Sequence, residues 1–201
     1  LLYVIMNGSN LIHVYTINEN EIIFDHTIDL DFFGPRNMLI SNNIGYVTEW
    51  GSRITIIDLD TESIISTIAL NGLPEKIIKD GFYIYVGLYL NNDFSAGNKV
   101  LKIDSENHTI VDQFTVAPSP EDMVIIDNIL YVSSTTYDQN YTPKYFMSSL
   151  DLNNPQEYNQ IYEDNSGLAF GSDLVVANGH LYRSISTGIT EIDLQSLTVI
   201  E

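Results

Sequence analysis

The apolar positions of this chain come in short runs rather than in long periodic stretches. Residues 35–68, PRNMLISNNIGYVTEWGSRITIIDLDTESIISTI, hold four of them, at 37–40, 44–48, 54–58 and 64–68. Each run is rich in β-branched and aromatic residues and too short for a helix, so each is predicted to be a strand. The joints between them, Asn42-Asn43, Trp50-Gly51-Ser52 and Asp60-Thr61-Glu62, are turn chemistry. The stretch therefore predicts one four-stranded antiparallel meander.

The same unit recurs. A tyrosine marks the second strand of each copy, at Tyr3, Tyr46, Tyr85, Tyr131 and Tyr182, with spacings of 43, 39, 46 and 51 residues. An aspartate closes the third strand at Asp58, Asp104, Asp151 and Asp193, where the first copy has Thr16. Pro35, Pro74, Pro120 and Gly171 each stand eleven residues before the next tyrosine. Four strands per unit at this period are the signature of a β-propeller blade. The predicted fold class is all-β, with blades at about 1–31, 35–68, 74–115, 120–162 and 171–201. The first copy lacks its inner strand and opens directly on Leu1-Leu2-Tyr3-Val4. The chain is thus expected to be part of a larger, seven-bladed ring, with a closed five-bladed ring as the alternative.

Length varies on one side of this pattern. From the tyrosine to the aspartate the offsets are 12, 19, 20 and 11 residues in copies two to five. Copies three and four therefore carry long loops, at 90–98 and 135–144. In an up-and-down meander these loops and the links between blades emerge on the same face. Function on a rigid scaffold concentrates on such variable loops.

Composition narrows the partners. The formal charge is −19, with only eight Lys and Arg, so nucleic acid is excluded for want of a basic footprint. Cysteine is absent, which removes disulfides, thiolate metal sites and a Cys nucleophile. No apolar run approaches the ~20 residues of a membrane-spanning helix, and mean hydropathy is near zero.

Tyr46–Ser52, Tyr-Val-Thr-Glu-Trp-Gly-Ser, with the Ile-Asp-Leu-Asp-Thr-Glu-Ser that follows and the Gly72–Glu75 turn, resembles the YVTN repeat of YncE-like propellers. Glu49 stands where that repeat has Asn. The looser, Asn-rich style is similar to surface propeller lipoproteins of Bacteroidetes-type bacteria, some of them cobalamin-binding partners of outer-membrane transporters. The resemblance implies a binding role, a place at the bacterial cell surface or in the periplasm, and possible service to nutrient uptake. It assigns no residue.

Candidate site residues come from the register. Trp50, the single tryptophan, joins Phe33, Tyr89, Phe94, Tyr137 and Tyr141 on or near the variable face, with Asn92 beside them. Aromatic rings among amides suit a sugar, a planar ligand or a protein hot spot. Arg36, Glu75, Glu121 and Ser172 follow the Pro or Gly anchor and start successive inner strands, where side chains from several units converge. With Glu49, the carboxylates among them are the residues a lyase or glycosidase would need. No catalytic motif supports that rival. The four histidines are scattered. The repeated aspartates read as turn formers. The oxygen-rich loops 91–98 and 137–140 leave Ca²⁺ open, although neither has EF-hand spacing, and no other cofactor is indicated. The favoured expectation is a non-enzymatic module that holds a small molecule, glycan or partner protein on the variable face. A pure protein-interaction scaffold is the further alternative.

Overall fold

The computed structural model describes residues 1–31, 34–164, 173–185, 188–194, 196 and 198–200. Phe33, Gly171 and Ser172 lie outside the described residues. The described chain is all-β, with nineteen strands in five open antiparallel sheets of three or four strands each.

The first sheet holds β1 (Leu2–Met6), β2 (Leu11–Ile17) and β3 (Ile22–Asp29). The second holds β4 (Pro35–Ser41), β5 (Ile44–Glu49), β6 (Arg53–Asp58) and β7 (Ser63–Ala69). The third has β8 (Leu73–Asp80), β9 (Tyr83–Leu90), β10 (Ala96–Asp104) and β11 (Thr109–Thr115). The fourth has β12 (Pro120–Ile126), β13 (Ile129–Tyr137), β14 (Pro143–Asp151) and β15 (Asn159–Asp164). The fifth has β16 (Leu174–Ala177), β17 (His180–Ile185), β18 (Gly188–Asp193) and β19 (Thr198–Ile200). Within each sheet the strands run in chain order.

In three of the sheets the first-to-second turn is tight because both central residues take positive φ, at Asn42-Asn43, Asp127-Asn128 and Asn178-Gly179. That is the geometry of the hairpin turn matching strand twist, and Asn and Asp tolerate it best.

Burial follows from how the sheets stack. One apolar layer lies between each successive pair: Ile12, Val14 and Ile28 against Val47 and Ile57, then Ile54, Ile56 and Ile68 against Ile84, Val86 and Ile103. Val100 and Phe114 meet Met123, Leu130 and Val132, and Tyr131 and Met147 meet Leu174, Leu181 and Ile192. A sheet with a neighbour on both faces needs apolar residues on both. This is why β5 and β9 are buried almost without alternation, whereas the outer strand β11 is nearly all exposed. The recurrent tyrosine points into these layers. Tyr46, Tyr85 and Tyr131 are buried, and the Tyr46 hydroxyl donates to the Ser105 carbonyl of the next sheet at 3.4 Å. The first strands β4, β8, β12 and β16 stand side by side in that order. The stacking is consistent with a propeller-like arrangement.

The repeated aspartates are turn residues. Asp58 Oδ1 accepts from the amides of Asp60 and Thr61, and Asp104 Oδ1 from those of Glu106 and Asn107, all at 2.8–2.9 Å. Asp151 and Asp193 accept in the same way from Asn153 and Ser196. These amides hold the Asp58 and Asp104 carboxyls below their ordinary value of 3.8. A lowered carboxyl pKa adds stability that is present above 3.8 and lost as pH falls through the lower folded value. Asp104→Asn should therefore lose less stability than the wild type between about pH 7 and pH 3 in urea titrations. An unchanged acid dependence would show that the turn does not use the charge.

The two long connections differ from expectation. Most of their extra residues extend the hairpins β9–β10 and β13–β14 as paired strand, with Tyr137 opposite Pro143 and Ala96 opposite Leu90. Only 91–95 and 138–142 remain as turns. Both tips are built alike: the fifth residue's carbonyl accepts from the first amide, and the fourth residue is an aromatic at positive φ, Phe94 or Tyr141. The carboxylates there close the turns. Asp93 Oδ1 binds the Ser95 amide and hydroxyl, and Asp138 Oδ1 binds the amides of Asn140 and Thr142.

Candidate functional site

The site is made by one backbone irregularity used three times. Pro35 pairs with Glu49 and Asn37 with Thr48, so Arg36 is the extra residue of a bulge. Pro120 pairs with Ser134 and Asp122 with Ser133, which leaves Glu121 in the same position. Between Pro74 and Ile77 the register skips Glu75 and Lys76. A bulge bends its strand and re-aims the side chain it carries. Here it turns one charged residue from each inner strand toward a common space. Gly87 lies against Pro120 at the start of the next inner strand, where a Cβ would make ordinary van der Waals contact at 3.4 Å.

That space is a cavity of about 370 Å³. Arg36, Glu75 and Glu121 line it from the bulges, Trp50 from the turn after β5 and Tyr89 from β9, with Asn37, Lys76 and Asp122, the next residue along each inner strand, and Asp173 just before β16. Arg36 grips Glu75 with a fork, Nε to both carboxylate oxygens at 3.1 and 2.9 Å and Nη2 to Oε1 at 2.8 Å. Trp50 Nε1 donates to Glu75 Oε2 at 3.3 Å, and the Arg36 guanidinium carbon stands 4.5 Å from the centre of the indole. Trp50 and Tyr89 stack nearly parallel, 11° apart with centroids at 6.4 Å. Lys76 Nζ binds the buried Asp122 at 2.8 Å, and Asp122 Oδ2 accepts from the Leu174 amide at 2.9 Å, so one carboxylate ties three sheets together. Burial first, then the negative charge of Glu121, pushes the Tyr89 hydroxyl up to about 12, with Tyr137 and Glu75 acting the same way and Arg36 against.

A second cavity of about 240 Å³ adjoins the first through Tyr89. Leu90, Phe94, Tyr137 and Ala96 give it an apolar lining from the long hairpins, with Ser119, Thr135 and Thr136 beside them. Thr135 donates its hydroxyl to Glu121 Oε2 at 2.6 Å, and this pair spans the boundary between the two spaces.

Of the residues expected from sequence, Trp50, Arg36, Glu75, Tyr89 and Glu121 thus come together in one cavity, and Tyr89, Phe94 and Tyr137 in the neighbouring one. Three do not join them. Glu49 is fully buried and paired with Arg53 Nε at 2.7 Å. Glu49 ends β5 directly opposite Arg53 and pairs with it across the hairpin, while Trp50, in the turn that follows, lines the cavity. Asn92 bridges connections, accepting from Ser52 at 2.8 Å and donating to Asn71 at 3.2 Å. Tyr141 stands free at its hairpin tip, 85% exposed. Sequence reasoning passed over Asn37, Lys76, Asp122 and Asp173. Their signal was available: each lies two residues after the Pro or Gly anchor, and all four are polar at the start of an inner strand. The histidines lie elsewhere, with His26 on Glu62 at 2.7 Å and His180 on Glu191 at 2.9 Å.

No protein-family model and no curated protein matches the chain. Among solved structures, it is similar to the computationally designed Ika8 protein, with a TM-score of 0.62 and 8% sequence identity. The likeness covers 94% of this chain and 56% of that one. It is a likeness of fold alone, and the chain spans little more than half the length of the designed structure.

Proposed function

We propose that the chain is a segment of a ligand-binding β-propeller, and that the paired cavities between its inner strands and long hairpins take a small polar molecule. The observation that carries this reading is the convergence of Arg36, Glu75, Glu121, Trp50 and Tyr89, from three different sheets, on one space of small-ligand size. Their geometry suits binding. The fork from Arg36 and the indole N–H hold Glu75 in place before any ligand arrives, so little side-chain entropy is lost on association. A carboxylate tied down in this way is poorly placed to shuttle protons, which favours a binding module over a lyase or glycosidase.

The single tryptophan makes the test direct. In a screen of sugars, amines and vitamin-like compounds, a ligand of this site should shift Trp50 emission saturably. Tyr89→Leu should weaken that ligand by about tenfold, equivalent to about 1.4 kcal/mol, without lowering the melting temperature appreciably. A ligand shown by calorimetry to bind while leaving Trp50 emission and the Tyr89→Leu affinity unchanged would place the site elsewhere.

A further inference from the structure

The third sheet departs from the other units at three positions, and all three meet in one place. A leucine follows the turn aspartate in the second, fourth and fifth sheets, at Leu59, Leu152 and Leu194. Each packs into the apolar layer shared with the preceding sheet. After Asp104 the residue is Ser105. Its place in the backbone is the same: the Ser105 amide donates to the Phe82 carbonyl, as Leu59 does to Asn43 and Leu152 to Asn128. The second residue of the first-to-second turn is Asn43, Asn128 or Gly179 elsewhere, but Phe82 here, 73% exposed. Two residues before that turn stand Ile40, Ile125 and Val176, but in the third sheet Lys79. Where the leucine is missing, between the second and third sheets, a cavity of about 400 Å³ opens, and Lys79, Phe82 and Ser105 all line it. It lies at the far ends of the strands that carry Arg36 and Glu75, away from the Trp50 cavity.

From these three departures we infer that this cavity is a second binding site, for a small organic carboxylate with a branched or aromatic apolar body. The body takes the space that a leucine side chain fills in the other sheets, against Ile44, Tyr46 and Phe82. Tyr46 gives that space a fixed wall. Its hydroxyl donates to the Ser105 carbonyl at 3.4 Å, and the His108 ring meets it edge-on, with 80° between the planes and centroids 5.9 Å apart. The carboxylate meets Lys79. Among the described residues that ammonium has a hydroxyl rather than a carboxylate for a partner, with Nζ donating to Ser41 Oγ at 2.8 Å. An ammonium carries three N–H donors, so two remain for charge-assisted bonds to an anion. Glu106 also lines the cavity but is exposed, where water and salt screen its charge. A cationic ligand is repelled by Lys79, and a neutral one leaves the ammonium without a counter-charge. This site and the Trp50 cavity are separate, and neither needs the other to be occupied.

Calorimetry on the full chain tests this with three probes of one skeleton at matched ionic strength: hydrocinnamate, 3-phenylpropanol and 3-phenylpropylamine. Hydrocinnamate should bind at least about tenfold tighter than the alcohol, and the amine more weakly than either. Lys79→Met keeps an apolar stem and should bring hydrocinnamate down to the affinity of the alcohol. Ser105→Leu restores the leucine of the other sheets, and should abolish hydrocinnamate binding without lowering the melting temperature. Phe82→Asn returns the turn to that of the second and fourth sheets and should weaken hydrocinnamate about tenfold. Lys144→Met, in β14, removes an equal charge and should change nothing. Equal affinity for hydrocinnamate and the alcohol, equal losses in Lys79→Met and Lys144→Met, or binding retained in both Ser105→Leu and Phe82→Asn overturns the proposal. So does the absence of binding by all three probes. Hydrocinnamate should also leave Trp50 emission unchanged and bind Tyr89→Leu as it binds the wild type; a signal that follows those two residues instead would assign the ligand to the first cavity and overturn this one. A ligand lost in Ser105→Leu belongs to this site, so the Trp50 cavity is judged on the ligands that Ser105→Leu retains.

Discussion

Arg53→Met should destabilise the chain by about 3–5 kcal/mol, the usual consequence of removing one partner from a buried ion pair. Glu49 ends β5 and Arg53 begins β6, and the two are directly opposed in the ladder. The Glu49 side chain is fully buried, and Arg53 Nε meets its Oε2 at 2.7 Å. Without the guanidinium, a fully buried carboxylate loses the partner that offsets its desolvation. The double variant Glu49→Leu with Arg53→Met should recover most of the loss, because it removes both charges and fills the space with apolar atoms. Urea unfolding of the three proteins measures this. A single-variant cost under about 1 kcal/mol, the range of exposed pairs, would mean that Glu49 reaches water. Stability and binding are expected to separate here, since Glu49 faces away from the cavity that its neighbour Trp50 lines.

The second large effect is expected at Gly97. This residue lies in the register shift of β10 between Ala96 and Lys99 and is buried. A Cβ at Gly97 would overlap the Leu88 carbonyl oxygen and stand 2.9 Å from the carbonyl carbon and 3.1 Å from the Leu90 amide nitrogen. All three are backbone atoms, which no rotamer change can move, so β9 and β10 must part. Gly97→Val should cost at least the ~1–3 kcal/mol of an overpacked site. It should also displace Tyr89, which lies between Leu88 and Leu90 and belongs to both cavities. Ligand binding should therefore fall even where the protein remains folded, and Trp50 emission should change through its stacked partner. A variant with wild-type melting and wild-type Trp50 emission would show that the bulge can relax without moving the site.

Much of the fold could be read locally. Short β-branched and aromatic runs, the Asn42-Asn43 turn and the recurrent Tyr and Asp act within one hairpin, and a hairpin is a local object. The sheets of three or four antiparallel strands, with the first one three-stranded, followed from them. The hairpin extensions were misread as loops because Asn91-Asn92-Asp93 and Asp138-Gln139-Asn140 are turn-like. The residues on either side pair across the hairpin, and pairing depends on the partner strand rather than on composition.

The candidate site was legible by half. The convergence of Arg36, Glu75 and Glu121 was visible in the register, since each follows its proline. The pairing of Arg36 with Glu75, thirty-nine residues away, was not. Nor was the burial of Glu49 against Arg53, nor the role of Asp122 in tying β8, β12 and β16.

What the sequence by itself determined, then, is the repeating unit, its turns and the face on which length varies, because these depend on neighbours along the chain. Only the tertiary structure decided which way each charged side chain points and what it meets. One bulged residue reverses the facing of everything beyond it, and ion pairs between sheets depend on how the sheets stack rather than on any local pattern.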